Sequence, residues 1–295
     1  MNKRLIVTHH APDCDAIGST WMLKRFDAQH YASAQSAFVD PGSTIDPSEA
    51  ERLGFQMHEV THVDTGLGEF DHHQADRGLQ RICATSLTYD YVCRMHPELK
   101  SDTALQEVVK FVTDDDHFGE VDWPESGHPR YSFMLSALLH GFESVDPHND
   151  ESQMAFGFTC FDCAYASLRE NLQAREALDN DGQPFEIGDL KCLAIESKND
   201  SVMKFAQKSG FMLVIRRDPS SGEVRIKARP DAPINLNLLA AAIAKLDTVG
   251  TWYNHPSGKM LLNGSRKHRH QRPTKLTLQE VVAAAKNALG EELGK

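Results

Sequence analysis

The stretch Thr8-His9-His10-Ala11-Pro12-Asp13-Cys14-Asp15-Ala16-Ile17-Gly18-Ser19 follows directly on the short apolar run Leu5-Ile6-Val7. The apolar run predicts a buried strand, and the proline that follows predicts a turn before a helix that begins near Ile17. Such a chain brings the polar side chains of His9, Asp13 and Asp15 together at the carboxyl end of the strand. Open α/β sheets bind their ligands at that end. Imidazole and carboxylate groups at this density favour a divalent cation that holds a phosphate. A capped polar loop is the alternative.

A second cluster of the same residue types follows between residues 58 and 74. The segment His58-Glu59-Val60-Thr61-His62-Val63-Asp64 is typical of a short strand that ends in a carboxylate, and Phe70-Asp71-His72-His73-Gln74 comes soon after it. Two acid clusters at strand ends and a consecutive histidine pair supply enough ligands for a two-metal site, with ions about 3.5–4 Å apart. A solvated loop has no need of this collection.

The spacing of these residues resembles the DHH phosphoesterase superfamily, which includes RecJ-type exonucleases, oligoribonucleases, cyclic-dinucleotide phosphodiesterases and family II inorganic pyrophosphatases. The resemblance rests on H-x-x-P-D-x-D-A-x-G-S from His9 to Ser19, then Asp64, then Asp71-His72-His73. The close spacing of V-D-x-G and F-D-H-H-Q more specifically resembles the branch called metal-dependent protein hydrolases, whose studied members look like RNA exonucleases. The motifs fall within roughly the first 120 residues.

The resemblance implies a site with two manganese ions, with magnesium as the alternative. It implies that His73 faces the substrate phosphate and that Asp71 orients a ligand histidine, as metal-bound imidazoles usually require. Asp64 follows the second acid-bearing strand and is the candidate to bridge both ions. The implied catalytic residues are Asp64, Asp71, His72 and His73. The implied metal ligands are His9, Asp13, Asp15, Asp64 and His72.

The fourth motif of the superfamily is an aspartate near a helix end that bridges both metals. The helix predicted over residues 102–112 runs into Thr113-Asp114-Asp115-Asp116, an acid cluster in a comparable place. The resemblance favours Asp114, whereas helical phase places Asp116 on the same stripe as Val112. Both stay candidates, with Asp115 below them. An acidic helix end without a function is the alternative, and it opposes the helix dipole.

We predict an α/β chain of two domains, with a DHH catalytic domain over residues 1–182 and a smaller α/β substrate-binding domain over residues 183–295. The strand-helix-strand-helix order of the first favours a parallel sheet with helices on both faces. The polar, turn-rich stretch Asp179-Asn180-Asp181-Gly182-Gln183-Pro184 marks the boundary. For the second domain we predict strands over residues 190–195, 211–216 and 223–227, and helices over residues 201–208, 236–246 and 278–289.

The composition of the 295-residue chain is ordinary for a soluble globular protein, with 40% hydrophobic and 25% charged residues. Its formal net charge of −11 counts against broad capture of long duplex nucleic acid, which relies on many lysine and arginine contacts to phosphates. We see no membrane span and no signal peptide, and the six cysteines are irregularly spaced. We therefore expect a cytoplasmic protein with a short substrate; a homo-oligomer stays open.

The predicted second domain carries a basic segment in an otherwise acidic chain. Residues 266–275 hold five lysines or arginines and no acid. Glycine amides and basic side chains together can clamp a phosphate. We therefore expect substrate contacts from His73 and from His255, Ser257, Gly258, Gly264, Ser265, Arg266 and Lys267. A solvated loop is the alternative, and the segment lacks the G-G-G-H element of many DHH enzymes.

These features favour a metal-dependent phosphodiesterase that hydrolyses short oligonucleotides or a small nucleotide phosphodiester through a metal-activated water. Within that class we place exonuclease action first. Inorganic pyrophosphatase or another small-phosphate hydrolase is the runner-up. A catalytically silent nucleotide-sensing or scaffold protein is the alternative of a different class, and the intact set of predicted ligands counts against it.

Overall fold

The computed structural model describes residues 3–264 and 270–293, and for residues 291–293 it describes the backbone alone. The chain forms two compact units, Met1–Arg169 and Glu170–Lys295. Three predicted phosphate contacts, Ser265, Arg266 and Lys267, lie outside the described residues. The domain boundary predicted at residue 182 stays a prediction.

The first unit contains a parallel sheet of three strands in the order β2-β1-β3. The strands are β1 (Leu5–His9), β2 (Gln35–Val39) and β3 (Val60–His62). Val7 pairs with Ala37 on one side and with His62 on the other, so the three strands run in register. Because the strands are parallel, the loops that follow β1 and β3 leave the same edge of the sheet.

Helices cover both faces of this sheet. Leu5 and Val7 of β1 point to one face, against Ala50 and Phe55, whereas Ile6 points to the other, against Leu23. The helices of the first unit are α1 (Cys14–Phe26), α2 (Ala28–Tyr31), α3 (Pro47–Arg52), α4 (Ala84–Met95), α5 (Thr103–Asp116), α6 (Leu135–Val145) and α7 (Asp150–Asp181), the last of which continues into the second unit. The predicted α/β class with a helix-covered parallel sheet is confirmed.

Helix α1 begins three residues earlier than the sequence predicted. We expected a start near Ile17, but the helix starts at Cys14 and Asp13 is its N-cap. The Asp13 Oδ1 atom accepts hydrogen bonds from the backbone N–H groups of Asp15 at 2.9 Å and Ala16 at 3.0 Å. The prediction was wrong because an aspartate that satisfies the first free N–H groups starts a helix without waiting for an apolar residue.

The second unit contains a mixed sheet of six strands in the order β4-β5-β6-β7-β9-β8, in which only β5 and β6 are parallel among the described strands. The strands are β4 (Gln183–Ile187), β5 (Leu190–Glu196), β6 (Leu213–Arg217), β7 (Val224–Ala228), β8 (Trp252–Asn254) and β9 (Met260–Asn263). Its helices are α8 (Ser201–Lys208), α9 (Asn237–Leu246) and α10 (Leu278–Leu293). Sequence patterns predicted β5, β6, β7 and all three helices, but missed β4, β8 and β9.

The second unit buries apolar side chains on both faces of its sheet. Leu193, Ile195 and Val214 pack against α8 on one face, and a larger cluster lies on the other. Ile215, Ile226 and Leu261 of three adjacent strands pack there with Leu239 of α9 and Val281 of α10. Within residues 3–264 and 270–293, no helix is both long enough and apolar enough to cross a membrane.

Candidate metal centre

Two loops at one edge of the parallel sheet bring the first predicted ligands together. His9 is the last residue of β1, and Asp64 lies two residues beyond the end of β3. The His9 Nε2 atom is 3.3 Å from Asp64 Oδ2 and 3.8 Å from Asp13 Oδ2. The other ring nitrogen of His9 donates to the backbone carbonyl of His10 at 2.8 Å, which leaves Nε2 with its lone pair in the neutral ring. A neutral His9 therefore presents a ligand nitrogen to the two carboxylates.

Asp64 is held in an unusual backbone conformation. Its φ angle is +55°, in the left-handed region that residues with a Cβ atom rarely adopt. Its backbone N–H donates to the carbonyl of Phe70 at 2.9 Å, which ties the loop after β3 to the segment that carries the histidine pair. Strained residues of this kind cluster at functional sites. The conformation buries the Asp64 side chain to 3% exposure.

Asp15 joins the site through the amino end of α4. Its two carboxylate oxygens accept the backbone N–H groups of Ala84 at 2.6 Å and Thr85 at 2.7 Å. This close approach requires a glycine on α1, because a Cβ atom on Gly18 would lie 2.7 Å from the Thr85 hydroxyl. The helix end stabilises a negative charge on Asp15. Burial and the charge of Asp13 act against it and raise the pKa of Asp15.

His72 lies between the acids of three different segments. Its Nδ1 atom is 3.7 Å from Asp15 Oδ2 and also 3.7 Å from Asp64 Oδ1. On the other side of the ring, Nε2 is 3.3 Å from Asp116 Oδ2. Burial is the main cause that lowers the pKa of His72, so the ring favours the neutral form that binds a metal ion.

Asp71 and His73 form a separate, directly bonded pair. The Asp71 Oδ1 atom contacts the His73 Nδ1 atom at 2.7 Å and accepts the His73 backbone N–H at 3.1 Å, while Asp71 Oδ2 accepts from Leu67 at 2.7 Å. Burial raises the pKa of Asp71, but the hydrogen bonds outweigh it and the net shift is downward. Asp71 therefore stays ionised and fixes the His73 ring, whose side chain is 56% exposed.

The three acids at the end of α5 take different positions. Asp116 lies beside His72, and burial followed by the charges of Asp15 and Asp13 raises its pKa to about 8. Asp114 instead pairs with Arg81. Asp115 lines a neighbouring cavity together with Ser136. Of the two candidates that the sequence left open, the structure brings Asp116 to the other predicted ligands and directs Asp114 elsewhere.

These residues form three overlapping groups whose nitrogen and oxygen atoms lie within 4.8 Å of one another: His9, Asp13 and Asp64; Asp15, His72 and Asp116; and Asp64, Asp71, His72 and His73. Asp64 and His72 each belong to two of the groups.

Two buried atoms at the centre of the cluster show that it fits a cation. Asp64 Oδ1 and His72 Nδ1 are buried and have no hydrogen-bond partner among the described residues. Their separation of 3.7 Å is too long for a hydrogen bond. It suits two ligands that share one ion at about 2.1 Å from each.

The charges around the cluster are strongly coupled. Burial followed by the charge of Asp15 raises the pKa of Asp64 well above its usual range. For His9, burial lowers the pKa, but the hydrogen bond to Asp64 and the charge of Asp13 outweigh it and raise the pKa to about 9. A divalent cation would relieve this repulsion and would compete with the proton for His9, because metal ions and protons bind the same atoms.

One set of contacts at the site was not predicted from the sequence. The Asp150 carboxylate, at the start of α7, bonds His10 Nδ1 at 2.6 Å and accepts the backbone N–H of Ala11 at 2.7 Å. The buried Gln153 side chain donates to the carbonyl of Pro12 at 3.0 Å. Helix α7 thus holds the loop between His9 and Asp13. Asp150 and His10 are 140 positions apart in the sequence, so no local pattern would have revealed this contact.

Cys14 lies between two predicted ligands but belongs to none of the three groups. It is buried at the start of α1, and burial raises the pKa of its thiol well above the usual value. Since metal ions bind the thiolate, the protonated thiol is a poor ligand.

Of the predicted phosphate contacts that the structure describes in the second unit, His255, Ser257 and Gly258 lie in the turn between β8 and β9, and Gly264 directly follows β9. His255 Nδ1 bonds the Ser257 hydroxyl at 2.8 Å. Gly258 has a φ of +64° and Gly264 a φ of +87°, conformations that favour glycine. These residues therefore have local structural roles, and their contact with a substrate stays a prediction.

No protein-family model and no curated protein matches the chain. Among solved structures, the chain is similar to a DHH domain described as a member of a family of ribosomal proteins, at 12% identity and a TM-score of 0.32, over 96% of this chain and 85% of that one. It is similar to RecJ from Thermus thermophilus in complex with Mn²⁺, at 12% identity and a TM-score of 0.34, over 96% of this chain and 52% of RecJ.

It is also similar to an exopolyphosphatase-related protein from Bacteroides fragilis, at 16% identity and a TM-score of 0.26, over 100% of this chain and 94% of that one. The chain thus spans about half the length of the Thermus RecJ.

Proposed function

We propose that this protein is a two-metal-dependent phosphodiesterase of the DHH type that acts on short oligonucleotides or small nucleotide phosphodiesters. The observation that carries the proposal is the overlap of the groups around Asp64 and His72. One cation between His9, Asp13 and Asp64 and a second between Asp15, Asp64, His72 and Asp116 would use four acids of the cluster, and the fifth, Asp71, stays with His73. Asp64 would then contact both ions.

The ligand chemistry favours manganese or magnesium. The groups contain carboxylate oxygens and imidazole nitrogens, and no cysteine among the described residues joins them. Oxygen ligands suit Mg²⁺ and Mn²⁺, and imidazole adds affinity for the transition metal, so Mn²⁺ is the first choice. A pair of such ions supplies an activated water and neutralises charge on a phosphoryl group.

The residues of the chain have separate tasks in this reaction. Asp64 would be a ligand in both metal groups, and Asp71 fixes the His73 ring through its Nδ1 atom. The exposed side of His73 can donate a hydrogen bond to a phosphoryl oxygen when the ring is protonated, and the ionised Asp71 stabilises that protonated ring. Charge that develops on the phosphoryl oxygens is thereby stabilised by a pre-positioned donor.

A metal-restoration assay tests this proposal. After EDTA treatment and dialysis, Mn²⁺ or Mg²⁺ should restore hydrolysis of a short oligonucleotide and of bis(p-nitrophenyl) phosphate. Preferred hydrolysis of pyrophosphate would point to the runner-up, a pyrophosphatase. If EDTA has no effect, or if Zn²⁺ alone restores the activity, the proposal is wrong.

A further inference from the structure

A cavity of about 540 Å³ lies beside the metal cluster in the first unit. Its wall includes Asp115, the neighbour in sequence of Asp116. The Gln153 amide connects the cavity wall to the cluster, because it donates to the Pro12 carbonyl beside Asp13 at 3.0 Å and to the Leu139 carbonyl, next to His140 of the wall, at 3.3 Å. Small-ligand sites commonly have volumes of about 300–1,000 Å³. The cavity is therefore large enough for part of a substrate whose phosphate lies at the metals.

Aromatic rings dominate one part of the cavity lining: Phe118, His128, Tyr131 and His140. The Tyr131 ring is held in place, because its hydroxyl donates to the Pro124 carbonyl at 2.7 Å and its ring lies 6.0 Å from that of Trp123. A wall that is fixed before binding lowers the entropy cost of binding. Rings and polar edges together suit a flat heterocycle that carries hydrogen-bonding groups.

Phe118 is the most unusual residue of the lining. It occupies the position after the cap of α5, where glycine is the common choice, and its φ is +55°. Its side chain nevertheless is a phenyl ring that is 74% exposed. A bulky residue in the left-handed region costs free energy, and so does an exposed phenyl ring. Neither feature stabilises the fold, which points to a role in binding.

We propose that this cavity binds the nucleobase of the nucleotide whose phosphate lies at the metal cluster, with Phe118 as the stacking ring. The inference rests on the proposed phosphodiesterase function and deepens it by naming a base subsite. Stacking on an aromatic side chain tolerates every base, because each base has a π-face. The site would therefore distinguish nucleotides from base-free phosphates without selecting one sequence.

Binding of AMP and of ribose 5-phosphate to the manganese-loaded full chain tests the inference by calorimetry. The wild type should bind AMP about tenfold more tightly than ribose 5-phosphate, which is the usual effect of one stacked base. Phe118→Gly should remove that preference and leave ribose 5-phosphate binding unchanged. Phe118→Trp should keep it. Phe133→Ala is the matched control, because Phe133 is 82% exposed and is not part of the cavity lining.

A stability measurement separates binding from a structural role. Because Phe118 is strained, Phe118→Gly should raise the melting temperature while it weakens AMP binding. The inference is wrong if Phe118→Gly binds AMP as the wild type does, or if AMP and ribose 5-phosphate lose affinity equally. If the protein hydrolyses bis(p-nitrophenyl) phosphate with metal but binds AMP no more tightly than ribose 5-phosphate, only the base subsite is overturned. A base preference without any hydrolysis would overturn the proposed function and leave the subsite standing.

Discussion

In the first unit, Asp15, Asp64 and Asp116 crowd around His72, and no lysine or arginine among residues 3–264 and 270–293 forms an ion pair with them. In the second unit, acids and bases meet directly: Arg216 lies 2.9 Å from Asp200, which also pairs with Arg225, and Arg229 lies 2.7 Å from Asp231. Paired charges neutralise each other within the protein. The crowded acids around His72 have no such partner among the residues that the structure describes, and this arrangement suits a cation from outside the chain.

The charges of the second unit also bear on where a phosphate could bind. The second unit contains a cavity of about 670 Å³, lined by Arg216, Arg225, Lys198 and Lys227. Four acids line the same cavity: Glu170, Asp200, Asp218 and Glu223. The acids balance the bases, so this cavity has no excess charge for a phosphate. Removal of an acid should therefore affect activity in the first unit and stability in the second.

The largest effect should come from Asp64→Asn. An amide cannot hold two cations as a carboxylate does, so we expect a loss of activity of at least about 1,000-fold, with metal binding weakened at both sites. Calorimetric titration with Mn²⁺ and an assay on a short oligonucleotide would measure the two changes. Asp76→Asn is the control, because Asp76 is an exposed acid of the same loop that belongs to none of the three groups. Two unchanged metal sites in Asp64→Asn would contradict the bridging role.

The next largest effect on activity should distinguish two acids at the end of α5. Asp116→Asn should lower activity by at least about 100-fold, because it removes a ligand next to His72. Asp114→Asn should change activity by less than about threefold, since that acid pairs with Arg81 at the surface. Steady-state kinetics of both variants at saturating Mn²⁺ would show which of the two acids supports activity. The opposite order would show that the fourth ligand is Asp114, as the family motif favours.

A smaller effect is expected for the contact between α7 and the loop after β1. Asp150→Asn should weaken Mn²⁺ binding by about 10- to 100-fold, the usual effect of residues that position ligands. Asp162→Asn is the matched control on the same helix. Its carboxylate holds Trp21 Nε1 at 2.9 Å and also pairs with Arg25, away from the three groups. Asp162→Asn should lower the melting temperature and leave metal affinity unchanged; equal metal affinities in the two variants would rule out the positioning role.

In the second unit, Asp200→Asn should affect stability and leave activity unchanged. Arg216 is buried to 3% exposure, and loss of its 2.9 Å partner leaves that charge poorly compensated. Because Asp200 is 45% exposed, solvent screens the pair, and we expect a loss of about 1–2 kcal/mol in the free energy of unfolding. Urea denaturation would measure it. A fall in activity of the folded variant would mean that this cavity takes part in catalysis.

The smallest effect is a pH dependence of the metal-free protein. The pKa of Asp116 is raised to about 8 in the folded state, above the value of about 3.9 expected when unfolded. Because the folded state then binds the proton more tightly than the unfolded state, the contribution of Asp116 to stability is complete below pH 4 and is lost as the pH rises through 8. Metal-free Asp116→Asn should therefore gain stability relative to metal-free wild type as the pH rises from 4 to 8. An equal pH dependence in both proteins would contradict the crowded-acid account.

The sequence predicted the parts of this molecule that depend on local pattern. Leu5-Ile6-Val7 and the acids that follow it predicted β1 and the edge of the sheet where ligands gather. Helical phase also placed Asp116 on the buried stripe of α5, where the structure has it, because the helix continues without a break from Val112 to Asp116. The family motif alone would have favoured Asp114, which points to Arg81.

Features that depend on contacts between distant segments were not predictable in this way. Asp150 and His10 are 140 residues apart in sequence, and no periodicity connects them. The short strands β8 and β9 lie within a stretch rich in turn residues, and they are recognisable only through their pairing with each other and with β7. The left-handed backbone at Phe118 was likewise not predictable, since a bulky aromatic residue does not favour it.

The central claim is that Asp64 and His72 hold a pair of divalent cations. A crystal of the metal-stripped protein soaked in Mn²⁺ tests it directly through anomalous scattering from manganese. We predict two anomalous peaks about 3.5–4 Å apart, both in contact with Asp64, and one of them in contact with His72 Nδ1 and Asp116. A single peak, or a pair of peaks that leaves Asp64 Oδ1 without a metal contact, would contradict the account.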